Sequence, residues 1–453
     1  MRHAAACVRL FLLSVLVLSP LASRAAELAA TGPLADYVAK RDDAFQWRKV
    51  REGNVASAKF VELRMTSQVW RGITWKHQLF ILKPASMSPD AKHALLFVAG
   101  GSWKPELDAE TGEFKAPREA TVLALAAEQL KAPVAIVTHI PFQPIFEGKV
   151  EDAIIAYTFD EYLKTRDPEW PLLLPMVKSA VRAMDAVEAF VKDEWQTKIE
   201  RFTISGGSKR GWTTWLTGAV DSRAAAIAPM VIDVLNMGPQ MQHQVATWGA
   251  PSRMIHDYTQ RGIDKKFPTD EGKALLSIVD PYSYRERLTQ PKLIILGTND
   301  PYWPLDALNL YWDGLVGQKH VLYIPNNGHG LKDVPRLVGG LSALHQQAAG
   351  GKSLPKLQWK FRPEATHLAL DVASDVAPER VDTWIATAPT KDFREAQWKS
   401  TPARRTKDGY VCELQLPATG YASMFGEYVF QGENSLPYYL STGVKIVEPR
   451  AAQ

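Results

Sequence analysis

Ser208, Asp300 and His329 have the types and the chain order that a covalent hydrolytic centre requires. A serine hydroxyl is a weak nucleophile unaided. An imidazole that takes its proton, oriented by a carboxylate, makes it a strong one. Ser208 stands in Phe202-Thr203-Ile204-Ser205-Gly206-Gly207-Ser208-Lys209-Arg210-Gly211-Trp212, a short apolar run passing into glycines and then into a helix-compatible segment. That is the context of a nucleophile elbow, a tight strand-to-helix turn that lifts the hydroxyl above a sheet. The usual pattern is Gly-x-Ser-x-Gly. Here Arg210 occupies the place of the second glycine and Gly211 follows it. The plainer reading of the same residues is a Gly-rich turn with a capping serine. The spacing of a phosphate-binding loop is absent.

The partners follow in the order this chemistry uses. Leu293-Ile294-Ile295-Leu296-Gly297-Thr298-Asn299-Asp300 is an apolar run that ends on a carboxylate. Val321 to Ile324, then Pro325-Asn326-Asn327-Gly328-His329-Gly330, is another that ends on a loop histidine. Asp233, after the run Ala225 to Ile232, is an alternative acid. Asp300 is preferred because its separation from His329 leaves room for one helix and one strand. The oxyanion of an acyl transfer needs two N–H donors. The backbone of Lys209, just after the nucleophile, is one candidate. The other is the loop Gly100-Gly101-Ser102-Trp103, with Gly101 and Ser102 as the donors. The side chains of Lys209 and Arg210 either add positive charge there or are paired on the helix. Trp103, Trp212, Trp248 and Trp303 fall near expected strand ends and are candidates to line a substrate site, with core packing as the alternative.

These residues need a sheet to hold them. Short continuous apolar runs at Ala94–Ala99, Val134–Val137, Phe202–Ile204, Ala225–Val231, Leu293–Leu296 and Val321–Ile324 predict buried parallel strands. Helical patterns at Arg118–Leu130, Met176–Phe190, Leu305–Leu315 and Leu341–Ala349 fall between or after them, so an α/β fold with helices on both faces is expected. Ligands of such sheets bind at the carboxyl ends of the strands, where all the candidates fall. After a polar lead-in over Leu34–Arg51, alternating runs at Lys59–Gln68 and Thr74–Leu82 predict a pair of strands. Asn236–Gln290, between two sheet strands, reads as a cap. Beyond Gly350-Gly351-Lys352-Ser353, expected as a linker, alternating runs broken by turns predict a β-sandwich of immunoglobulin-like type over 354–453. The hydrolytic domain would then occupy 26–350.

With those elements placed, a family resemblance emerges. Gly207-Ser208-Lys209-Arg210-Gly211-Trp212-Thr213-Thr214-Trp215-Leu216 and Ile227-Ala228-Pro229-Met230-Val231-Ile232-Asp233-Val234-Leu235-Asn236 resemble the PhoPQ-activated pathogenicity-related family. Glu151 to Thr158 and Lys178 to Asp185 look like the same family. The displaced glycine is also similar to the elbow of glucuronoyl-type carbohydrate esterases. The resemblance implies an exported α/β-hydrolase-like protein. It implies no particular substrate.

Composition narrows the classes. The chain is 46% hydrophobic and 23% charged, which excludes disorder and coiled coil. Residues 1–25 read as a removable signal: Arg2, His3 and Arg9, an apolar run over Leu10–Leu18, and Ser23-Arg24-Ala25. That run is short for a membrane span and is followed by Pro20, so no stable membrane anchor is expected. Lys and Arg number 53 against 49 acids. Removal of Arg2, Arg9 and Arg24 leaves about +1, which is no nucleic-acid footprint. Cys7 leaves with the signal and Cys412 stays as a single thiol, so no internal disulfide is expected in the periplasmic or secreted protein. Cys412, in an alternating run, reads as a buried apolar residue. No cofactor and no metal are expected, because no residues have metal-ligand spacing. The expected activity is that of a serine esterase acting on a small-molecule or glycan ester. A peptidase taking peptides, and a hydrolase-fold binding or signalling protein with little turnover, are the alternatives.

Overall fold

The computed structural model describes residues 30–109, 116–432 and 436–450. The expected signal over 1–25, with Cys7, lies outside the described residues. Among the described residues, nine strands precede residue 330: β1 (Gln46–Val55), β2 (Ala58–Trp70), β3 (Ile73–Lys83), β4 (His93–Val98), β5 (Val134–Val137), β6 (Arg201–Gly207), β7 (Ala224–Met230), β8 (Lys292–Gly297) and β9 (Lys319–Ile324). They lie in the order β1-β2-β3-β5-β4-β6-β7-β8-β9. The pairs from β5 to β9 are parallel and β1, β2 and β3 are antiparallel. The fold is α/β. Every predicted continuous apolar run is a strand, because only a sheet covered on both faces accommodates four to six consecutive buried residues. β1 was not foreseen: its half-exposed, charge-rich face masks the alternation.

Helices cover the two faces. Leu173–Trp195 and Lys209–Val220 pack with Leu96, Val98, Phe202, Ile204 and Ile227 on one side. Ala120–Leu130 packs with Leu95, Val134 and Ile136 on the other, and Val334–Ala348 with Ala226, Leu293 and Ile295. The helix expected over Leu305–Leu315 is only a 3-10 turn, Ala307–Leu310. Its carbonyls are claimed from elsewhere: Gln240 donates to Ala307 O and Asn236 to Leu310 O. The glycines expected as a linker close the preceding helix, with Gly350 at φ 93° and Gly351 N–H donating to Gln346 O.

The remaining strands are β10 (Leu357–Pro363), β11 (His367–Ser374), β12 (Arg380–Ala388), β13 (Lys399–Pro402), β14 (Arg404–Arg405), β15 (Tyr410–Gln415), β16 (Tyr421–Gln431), β17 (Pro437–Ser441) and β18 (Lys445–Val447). β10-β11-β15-β14 form one sheet. The others do not close on themselves: β17 joins β9, so β17-β16-β12-β13 continue the central sheet and, with β18 on β16, bring it to 14 strands. Ser441 pairs with Val321, and its Oγ accepts the Tyr323 N–H at 3.0 Å. The two C-terminal sheets face each other through Leu368, Leu370, Val372, Val381, Met424 and Tyr428. Cys412 is buried among them, and burial raises its thiol to about 11. The same core runs on into Ile295, Leu322, Leu341 and Leu344.

Candidate active site

Ser208 sits between β6 and the helix Lys209–Val220, at φ 57° and ψ −127°. For a residue with a Cβ this conformation costs about 1–3 kcal/mol, and such strain concentrates at functional sites. The turn is possible because of two glycines. A Cβ at Gly206 would lie 2.8 Å from Arg210 O and 2.9 Å from Val98 O. One at Gly211 would lie 2.7 Å from Ile232 Cγ2 and 2.8 Å from Met230 O. Gly207, by contrast, has only Val231 Cγ2 at 3.9 Å. The displaced glycine of the sequence pattern is therefore the one that lets the helix start against β7.

His329 Nε2 lies 2.8 Å from Ser208 Oγ. His329 Nδ1 lies 2.9 Å and 3.1 Å from the two carboxylate oxygens of Asp300. Asp300 also accepts the Tyr302 N–H at 2.9 Å, which fixes its rotation. Tyr302 then stacks on the imidazole, with ring centroids 4.1 Å apart at 29°. Asp233 is elsewhere. It is buried, accepts from Tyr311 OH at 2.6 Å, and is pushed up to about 7, first by burial. Of the two acids, Asp300 is the one brought to His329.

Lys209 and Arg210 are both buried and paired. Lys209 Nζ meets Asp152 at 2.8 Å and Glu151 at 3.3 Å. Arg210 makes a two-pronged bridge to Glu151 at 2.6 and 2.8 Å. Burial alone would raise Glu151, but Arg210 and Lys209 outweigh it and hold the carboxyl at about 2. The Arg210 guanidinium also lies against Gly100, where a Cβ would come within 2.4 Å of it. Gln143 ties down the same loop by donating to Gly101 O at 3.2 Å and to Glu151 at 2.8 Å. The Gly100–Gly101 loop is thus clamped to the first turn of the elbow helix.

Ser208 and His329 open into a narrow cleft with about 50 Å³ of enclosed room. Its walls include Trp212, Trp303, Val231, Ile232 and Val234, with Met237, Met241, Ile255, Tyr258, Asp264 and Phe267 from the expected cap. Trp212 and Trp303 therefore meet the expectation of proximity. Trp103 and Trp248 do not line this cleft. Trp103 turns its indole N–H to Asp108 and its ring to Arg64 and Lys76, while its backbone N–H donates to Gln143 O. Trp248 ends its helix under the guanidinium of Arg394. Gly101 borders a second, more polar cleft with His139 and Arg118 across the clamp, and Ser102 is exposed. Sequence reasoning missed Tyr302, Tyr258, Met237, Met241 and Asp264. The signal for Tyr302 was present, two residues past the candidate acid. The cap residues carry no motif.

One polar atom in the cleft stands apart. Asp264 Oδ1 is buried with no hydrogen-bond partner, whereas both oxygens of Asp152 are used, by Lys209 and Tyr258 OH. Among the described residues no three His, Cys, Asp or Glu side chains gather as a metal site, and no helix is long and apolar enough to cross a membrane.

Comparison with known proteins places the chain. Acetyl xylan esterase 1 from Thermoanaerobacterium sp. JW/SL YS485 is 14% identical, covering 70% of this chain and 91% of that one, with a TM-score of 0.47. A puromycin-hydrolyzing peptidase of Mycobacterium tuberculosis is 16% identical, covering 64% of this chain and 40% of that one, with a TM-score of 0.41. Autocrine proliferation repressor protein A of Dictyostelium discoideum is far more similar, 34% identical over 463 residues, which span 94% of this chain and 91% of that protein. The family model for the PhoPQ-activated pathogenicity-related protein matches residues 34–394, and the chain belongs to that family.

Proposed function

We propose that this protein is an exported serine hydrolase that cleaves an ester through an acyl-enzyme on Ser208. The observation that carries the reading is the continuous line of short contacts from Ser208 Oγ through His329 to Asp300. In this scheme His329 Nε2 takes the hydroxyl proton as Oγ attacks the carbonyl carbon, and Asp300 stabilises the imidazolium. The Lys209 N–H, first in its helix and without an intrahelical acceptor, donates to the oxyanion. Gly101 or Ser102 supplies the second donor. His329 returns the proton to the leaving alcohol, and the same base activates the water that frees the acid. Export rests on the signal-like composition of residues 1–25.

Asp264 favours a second reading, a peptidase whose substrate presents a free amine. An unpartnered carboxylate oxygen at the edge of an apolar cleft is a site for an ammonium group. The test is labelling by a fluorophosphonate probe, followed by acyl and glucuronoyl esters set against aminoacyl amides. Labelling lost in Ser208→Ala supports the hydrolase, and no labelling of the folded wild type refutes it. Ester turnover that survives Asp264→Asn, with no amide turnover, selects the esterase. Amide turnover that falls at least tenfold in Asp264→Asn selects the peptidase.

A further inference from the structure

The surface that the cleft beside Ser208 presents is mostly apolar, although Asp152, Lys209 and Asp264 border it, and this bears on the acyl half of the substrate. Resting on the hydrolase reading, we propose that the cleft binds a hydrophobic acyl chain of several carbons, and that Met237, Met241, Ile255 and Phe267 of the cap determine its length. Two features support this. First, the polar groups that border the cleft are mostly consumed: Lys209, Asp152 and Tyr258 are bonded to one another, so a sugar or uronyl group entering here would find almost no free partners for its hydroxyls. A hydroxyl buried without a partner is penalised, while a methylene is rewarded. Second, Met237 and Met241 are one helical turn apart on the helix Met237–Trp248, so their side chains share one face, and that face fronts the cleft. Met is unbranched and adjusts to chains of different length.

The expected behaviour is a rise of about fourfold in kcat/KM for each methylene added to a p-nitrophenyl ester, from acetyl until the cleft is full. Met241 is part-buried at the margin of the core, and Met241→Trp adds bulk on the face that fronts the cleft. It should lower the hexanoyl-to-acetyl ratio of kcat/KM at least tenfold. A measurement that needs no variant stands beside it: the rate at which alkyl fluorophosphonates of increasing chain length label wild-type Ser208 should rise in the same way. Acetyl as the best acyl group, or labelling rates flat with chain length, overturns the acyl proposal while leaving the hydrolase standing. A folded protein that neither labels nor turns over any ester overturns both.

Discussion

Replacing Asp300 and Asp233 by asparagine, one at a time, separates the two acids that follow sheet strands. Asp300 receives His329 Nδ1 at 2.9 and 3.1 Å and the Tyr302 N–H at 2.9 Å. Asparagine keeps the size and can keep the Tyr302 bond through its oxygen, so folding should change by less than about 1 kcal/mol. An amide N–H facing Nδ1 instead favours the imidazole tautomer with its proton on Nε2, pointing at Ser208. That nitrogen can no longer accept. The loss expected is about 10⁴ in kcat, or roughly 5 kcal/mol of transition-state stabilisation. Asp233→Asn retains an acceptor for Tyr311 OH and touches neither Ser208 nor His329, so kcat should stay within about threefold. Its effect is on stability. Asp233 in the folded protein titrates at about 7 against an ordinary 3.8, so the folded state binds the proton more tightly than the unfolded one. Wild-type stability therefore falls as pH rises from about 4 through 7, by up to about 4 kcal/mol. The Asn variant lacks that decline, and its Tm should exceed wild type above pH 7. Steady-state ester kinetics and thermal unfolding at pH 5 and pH 8 read both effects. Turnover lost in Asp233→Asn and kept in Asp300→Asn would refute the assignment.

Other outcomes follow from the same geometry. Gly211→Ala, with a Cβ 2.7 to 3.0 Å from Ile232, Met230 O and Gly206 O, should cost about 1–3 kcal/mol and reduce kcat at least tenfold, whereas Gly207→Ala should cost under about 0.5 kcal/mol; urea unfolding of the pair would expose the reverse order. Asn299→Ala removes an amide whose two N–H groups are shared among Phe393 O, Arg394 O and Ala396 O, at about 2 kcal/mol in all. It should lower both Tm and kcat, and an unchanged kcat in the folded variant would show that the acid loop needs no support from residues 393–396.

The sheet and its three candidate residues were readable because buried parallel strands leave continuous apolar runs, and Ser208, Asp300 and His329 lie within a few residues of such runs. The choice between Asp233 and Asp300 was open for the same reason: both follow strands, and only the path of the loops decides which reaches His329. Tryptophans were harder. Trp212 follows the elbow on its helix and Trp303 follows the acid, so their positions are tied to the site, while Trp103 and Trp248 depend on where a loop and a helix end point. The cap residues Met237 and Met241 have the pattern of any amphipathic helix. Least readable was the joining of β17 to β9, since strand pairing across more than a hundred residues leaves no local mark.

That joining gives the C-terminal strands a part in the site. Asn299, adjacent to Asp300, donates its amide to three carbonyls of the segment 393–396. Asn326, three residues before His329, donates to Trp398 O at 3.0 Å and accepts the Trp398 N–H at 2.8 Å. Both loops that present the candidate acid and base are thus pinned to one stretch between β12 and β13. Phe393 and Trp398 anchor that stretch in the core shared with the central sheet, beside Phe425 of β16. The loop carrying Asp300 is also held on its other side, by Gln244 donating to Tyr302 O and Ser252 Oγ donating to Pro301 O, and a 1 Å error in its position would break the 2.9 Å contact to His329. Rigid support from a second sheet edge lowers the number of loop conformations that must be lost before the three side chains align. On this argument the β-strands beyond residue 354 are part of the scaffold that sets the distance between Asp300 and His329.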